Sequence, residues 1–140
     1  MADDVLLNKA ATIERCVARS REEYAAAGAA FLTHFTRQDA AILNVQRACE
    51  ATLDMGHHLI RRERLGLPQS VRDVFDLLAA ALWIDAPLAD ALKNLIGFRQ
   101  IATRDEPGLM VPIAISVITC HLDEFLQFSA TVLKLDAQTL

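Results

Sequence analysis

From Gln38 to about Arg64, Ile42, Val45, Cys49, Leu53, Gly56 and Ile60 return at steps of three or four residues. That spacing puts them on one face of a helix with 3.6 residues per turn. Most of such a helix's stability comes from packing its apolar face, so the face needs other elements to lie against. The rest of the chain offers the same helical period and no stretch that alternates as a strand does. The expectation is therefore an all-α, single-domain, antiparallel bundle of about five helices over residues 1–140.

The partners of the long helix are readable in outline. Leu6, Ala10, Ile13, Val17 and Ser20 step through a first helix, which fades in the small-residue run near Gly28 and gives way to a loop to about Thr36. Gly66 and Pro68 end the second helix. Ser70 caps a third, with Asp73 in its first turn and Val71, Val74, Phe75, Leu78 and Leu82 as its buried stripe; Trp83 and Ile84 close it. Asp85 and Pro87 open a fourth, which runs to about Thr103 and is stopped by Pro107 and Gly108. The fifth starts near Pro112 along Ala114, Ile118, His121, Phe125, Phe128, Val132 and Leu135, and DAQTL frays at its end.

Composition narrows the function. With 53% hydrophobic residues among 140, there is material for one real core and no room for a second domain. A net charge of −4 argues against coating nucleic acid by bulk electrostatics, so any RNA contact must be local. Cys16, Cys49 and Cys120 are an odd number, each in an apolar helical pattern and without ligand spacing, as in reduced thiols of a cytoplasmic protein. The acidic start MADDVLLNKA is unlike a signal peptide, and Leu109 to Cys120 is too short to span a bilayer and contains a proline. A soluble protein with no membrane association is expected.

One residue breaks the apolar pattern. Leu88, Leu92 and Leu95 advance by four and three residues, and the next step lands on Arg99. A guanidinium keeps its proton and offers donors in a planar fork, so a half-buried copy grips a carboxylate or a phosphate. Either Arg99 makes a structural salt bridge, with Asp105 or Glu106 as partner, or it serves a site.

The second helix also carries Arg47, Glu50, Asp54, His58 and Arg61 on one face. They form either a solvated ladder of ion pairs or a polar wall facing a cleft, with Asp54 orienting Arg99 or a substrate group. Arg61, Arg62 and Arg64 either hold phosphate in that cleft or simply suit the negative end of the helix. The four histidines, His34, His57, His58 and His121, have no partners at metal or catalytic spacing, and His121 reads as a core residue of the last helix. No metal site and no cofactor are expected; neither a phosphate-binding glycine loop nor a nucleophile elbow is present.

Nearly the whole chain resembles the HepT-like proteins of the HEPN superfamily, the ribonuclease toxin half of toxin–antitoxin pairs. LNKAATIERCVARSREEY, FTRQDAAILNVQRACEATLDM, RRERLGLPQSVRDVFDLL and HLDEFLQFSATVL carry the resemblance. In that family the phrase after the fourth helix reads approximately RNIAVHDY; here it is RQIATRDE. Arg99 matches the motif arginine, whereas Gln100 stands at the asparagine, Arg104 at the histidine and Glu106 at the tyrosine.

The resemblance implies a homodimer whose two motifs line a shared cleft, RNA as the ligand, and a minimal nucleotidyltransferase as the antitoxin that adenylylates the motif tyrosine. A metal-independent ribonuclease of this type needs one group that moves protons and another that stabilises the anionic phosphorus. Arg104 has no accessible neutral form, and losing acid–base catalysis typically costs about 10²–10⁴ in rate. Arg99 and Arg104 also point about 140° apart on an ideal helix. Two readings follow: an impaired toxin-like protein that keeps the dimer and its nucleotidyltransferase partner, or an active RNA-cleaving toxin in which His57 or His58 replaces the missing histidine. In the first, Glu106 either places a permanent negative charge near the two arginines and holds the site self-blocked, or simply faces solvent before the turn signalled by Pro107 and Gly108.

Overall fold

The computed structural model describes residues 2–103 and 107–139. Among them are six α-helices: α1 (Asp4–Ala27), α2 (Phe35–Glu63), α3 (Val71–Ala80), α4 (Ala86–Thr103), α5 (Pro107–Cys120) and α6 (Leu122–Thr139), with a 3₁₀ turn at Gly28–Ala30 after α1. The described residues contain no strand. The expected all-α fold is the one observed, with one helix more than anticipated.

Local chemistry sets the helix ends. The Asp3 carboxylate accepts from the N–H groups of Val5 and Leu6 at 2.9 and 3.2 Å, two of the donors a helix start leaves unpaired. Gly28, at φ 53°, ends α1, and its N–H returns to the Tyr24 carbonyl. At α3 the Ser70 hydroxyl accepts from Asp73 N–H at 3.3 Å while the Asp73 carboxylate accepts from Gln69 N–H at 2.9 Å, a reciprocal cap. Asp85 receives Leu88 N–H at 2.9 Å at the start of α4.

Side-chain pairs reveal the topology. His58 meets Asp3 at 2.7 Å, Lys9 meets Asp54 at 2.9 Å and the Ser20 hydroxyl donates to the Ala41 carbonyl at 3.1 Å, so α1 and α2 run antiparallel. Arg21 reaches Asp123 at 2.7 Å and Arg62 reaches Asp136 at 2.8 Å, which lays α6 antiparallel to α1 and alongside α2. Lys93 pairs with Asp76 at 2.7 Å between α4 and α3. One core joins all six helices, with Phe75, Phe125, Phe128, Leu6, Ile13, Met55 and Leu92 fully buried; Phe75 and Phe128 stack edge to face with centroids 6.0 Å apart.

Where the structure departs from the periodicity, packing is the reason. α2 starts at Phe35, ahead of Gln38, because the His34 ring nitrogen caps Arg37 N–H. α3 ends at Ala80, and Leu82, at φ 66°, leaves the stripe and is 83% exposed. Pro107 begins α5 instead of only ending α4; proline suits a first helical position because its missing N–H would be unpaired there anyway. Pro112, where the periodicity predicts the start of the last helix, lies inside α5.

The expected last helix is two helices, bent by 52° at His121. Phe128 meets Phe75 edge to face and Phe125 is buried in the same core, which Ala114 and Ile118 reach from the preceding segment. Asp123 and Glu124 favour the new helix start, and the His121 ring bonds Glu124 at 3.1 Å. His121 is thus half-exposed at a corner, not a core residue, and Cys120 beside it is also exposed, unlike the buried Cys16 and Cys49. DAQTL does not fray through Thr139: Asp136 is buried against Arg62. Among the described residues no single helix is long and apolar enough to cross a membrane.

Candidate functional site

α4 brings Arg99 to its place. Leu88, Leu92 and Leu95 are buried, and the Cys49 thiol of α2 donates to the Leu95 carbonyl at 3.7 Å, seating the turn that carries Arg99 against the middle of α2. The residue after Cys49 is Glu50, and Arg99 Nε donates to its carboxylate. The Arg99 side chain is 33% exposed and that of Glu50 54%, so the pair straddles the protein surface. Burial pushes the Cys49 thiol up to about 12, which makes it a packing group with no nucleophilic role.

Beside this pair lies an open cleft of about 380 Å³, lined by Leu43, Gln46, Arg47 and Glu50 from α2 and by Arg99 and Gln100 from α4. Its described lining holds two guanidinium groups and one carboxylate, and so one net positive charge. Such a surface can bind an anion. The described lining holds no imidazole to move a proton.

The other residues singled out from the sequence are placed elsewhere. Asp54, a candidate for orienting Arg99 or a substrate group, instead holds Lys9 of α1 at 2.9 Å; Glu50, one turn earlier, takes the arginine. His58 bonds Asp3, and His57 lies seven residues beyond Glu50, about 10 Å along the helix axis, so neither histidine lines the cleft. The alternative ladder on α2 does not pair along itself; Glu50 reaches across to α4, Asp54 to α1 and His58 to the Asp3 cap of α1. Arg104, Asp105 and Glu106 lie outside the described residues.

Arg62, considered for phosphate, is committed to structure. It donates to Asp3 at 2.9 Å, Glu63 at 3.2 Å and Asp136 at 2.8 Å, and its guanidinium lies 5.8 Å from the centre of the Trp83 ring. Desolvation opposes ionisation of Asp3, but hydrogen bonds from His58, the Leu6 N–H and Arg62 outweigh it and bring the carboxyl down to about 2. Among the described residues no group of three or more histidine, cysteine or acidic side chains is placed to hold a metal ion.

Sequence reasoning passed over Gln46 and Leu43 and did not pair Glu50 with Arg99. A signal was present: Glu50 follows the stripe residue Cys49, and Arg99 continues the stripe of Leu88, so both sit where two packed faces meet.

Comparison with known proteins agrees with the all-helical fold. A model of HepT-like ribonucleases matches residues 13–132. The mRNA nuclease HepT of Shewanella oneidensis is 45% identical over 126 residues, which is 90% of this chain and 94% of that one. A toxin–antitoxin crystal structure with AMP-PNP superposes with a TM-score of 0.87 at 44% identity, covering 93% of this chain and 98% of its counterpart. A tri-AMPylated Shewanella oneidensis HEPN toxin in complex with its MNT antitoxin superposes with a TM-score of 0.86 at 43% identity, over 93% and 97% of the two chains. With a matching model over most of its length and relatives this similar along nearly all of both chains, the protein belongs to the HepT-like ribonuclease family of the HEPN superfamily.

Proposed function

We propose that this chain is the toxin-side member of a toxin–antitoxin module: a cytoplasmic homodimer that pairs with a minimal nucleotidyltransferase and whose ribonuclease chemistry is impaired. The pairing is supported by the toxin–antitoxin complexes to which the chain is similar over nearly its whole length. The observation that carries the impairment is the motif itself: Arg99 is in place, while Arg104 and Glu106 stand where the family has histidine and tyrosine. Arg99 and Arg104 can stabilise an anionic phosphorus but cannot exchange a proton near neutral pH. Glu106 has no hydroxyl to accept adenylate, and its carboxylate adds a standing negative charge to the motif sequence.

The second reading, an active RNA-cleaving toxin, is favoured by the 45% identical relative that is called an mRNA nuclease. Expression of the chain alone, with growth and RNA integrity followed, separates the two. Unchanged growth and intact RNA, together with co-purification of a nucleotidyltransferase encoded beside it, is the expected result. Rapid RNA cleavage by the unaltered chain overturns the impairment. Failure to bind that nucleotidyltransferase overturns the pairing, and sedimentation as a monomer at micromolar concentration overturns the dimer.

A further inference from the structure

We propose that Arg47 is a second phosphate-binding residue of the Arg99 cleft, and that Glu50 is a resident counter-ion which an RNA phosphodiester displaces. The proposal rests on the reading of the chain as an RNA-directed family member. Arg47 lines the cleft from α2, is exposed, and makes no hydrogen bond or ion pair among the described residues. A cleft-lining arginine with no partner among the described residues is available to an anion. Arg99 faces it from α4 with Nε on Glu50, which leaves its terminal amino groups without a partner among the described residues. Glu50 is more than half exposed, so water can solvate its carboxylate once the guanidinium turns to another acceptor.

Charge indicates which phosphate fits. The described lining carries one net positive charge, which a phosphodiester with its single negative charge neutralises. A phosphomonoester brings nearly two negative charges at neutral pH and would leave the cleft negative beside Glu50. Gln46 and Leu43 extend the wall with a neutral amide and an apolar surface, against which a ribose or base can lie. The class of ligand is therefore the backbone of single-stranded RNA rather than a free nucleotide.

The test is fluorescence anisotropy of a labelled single-stranded oligoribonucleotide titrated with the full chain at several salt concentrations. Arg47→Ala is expected to weaken binding about tenfold at low salt and to flatten the salt dependence by about 0.7 in log–log slope, the value for one single-strand phosphate contact. Arg47→Lys should keep most of the slope, and Glu50→Gln should tighten binding severalfold. Adenosine monophosphate at millimolar concentration should not compete. The proposal is overturned if Arg47→Ala binds with unchanged affinity and slope while Arg99→Ala weakens binding, if Glu50→Gln weakens binding, or if the monophosphate displaces the RNA. The Arg47 and Glu50 variants alter exposed side chains, and circular dichroism checks that all the variants fold. RNA binding lost in every form, including the unaltered chain, also overturns the proposal, whereas the family reading is judged separately by nucleotidyltransferase co-purification.

Discussion

Arg62 on α2 and Asp136 near the end of α6 meet at 2.8 Å, a contact between residues 74 positions apart in which the Asp136 side chain is 9% exposed. Removing the guanidinium leaves Asp136 and Asp3 close together without their shared cation. Breaking a fully buried pair costs about 3–5 kcal/mol, and for this partly exposed one Arg62→Ala should lower unfolding free energy by about 2–3 kcal/mol. Urea unfolding measures it. A loss below about 0.5 kcal/mol would show that the network does not hold α6 down.

The same cluster makes stability depend on pH. The Asp3 carboxyl sits at about 2 against an ordinary 3.8, so its folded form is ionised more readily than the unfolded one. That contribution is fully present above the unfolded value and is lost as pH falls through the folded one. Asp3→Asn should therefore be less stable than the unaltered chain above pH 4, with the gap closing toward pH 2. Melting temperatures of both proteins across pH 2–6 give the comparison, and a gap that widens on acidification would contradict the assignment.

Gly56 of α2 lies tight against α3: a Cβ there would stand 2.6 Å from Val74 Cγ1. Val74 is β-branched and fully buried, so it cannot swing aside. Gly56→Ala gains about 1 kcal/mol in helix propensity but incurs about 1–3 kcal/mol of overpacking. A net loss of about 1 kcal/mol is expected, and Val74→Ala in the same chain should restore much of the space. Thermal unfolding of the single and double variants is the check; a stabilised single variant would mean that the helices separate freely.

Restoring the motif should restore catalysis only as a unit. Arg104→His alone is expected to give little cleavage, because Gln100 and Glu106 also depart from the pattern and groups that act together are far from additive. Gln100→Asn, Arg104→His and Glu106→Tyr combined should raise ribonuclease rates above those of the unaltered chain, by up to about 10²-fold if proton transfer is what is missing. Timed cleavage of a labelled RNA reads this out. An unaltered chain as fast as the triple variant would remove the impairment.

Glu106 sets a further expectation. Incubation with the nucleotidyltransferase partner and ATP should leave the segment 99–108 unmodified, since a carboxylate lacks the tyrosine hydroxyl. Mass spectrometry of that peptide decides it, and adenylate found there would remove the reason for a built-in negative charge.

Helix periodicity depends only on which neighbours along the chain are apolar, so Leu6 to Ser20, Ile42 to Ile60 and Leu88 to Leu95 could be placed on buried faces from the sequence alone, as could the caps Ser70 and Asp85. The family, too, was legible along nearly the whole chain. What periodicity cannot carry is the choice among carboxylates that share a helix. Glu50 and Asp54 stand one turn apart with equal claims on an arginine, and only the crossing of α2 with α4 at Cys49 and Leu95 assigns Arg99 to Glu50 and leaves Asp54 to Lys9. The bend at His121 and the burial of Asp136 have the same origin. Both arise from contacts between residues far apart in sequence, where the geometry of packed helices decides which polar groups meet.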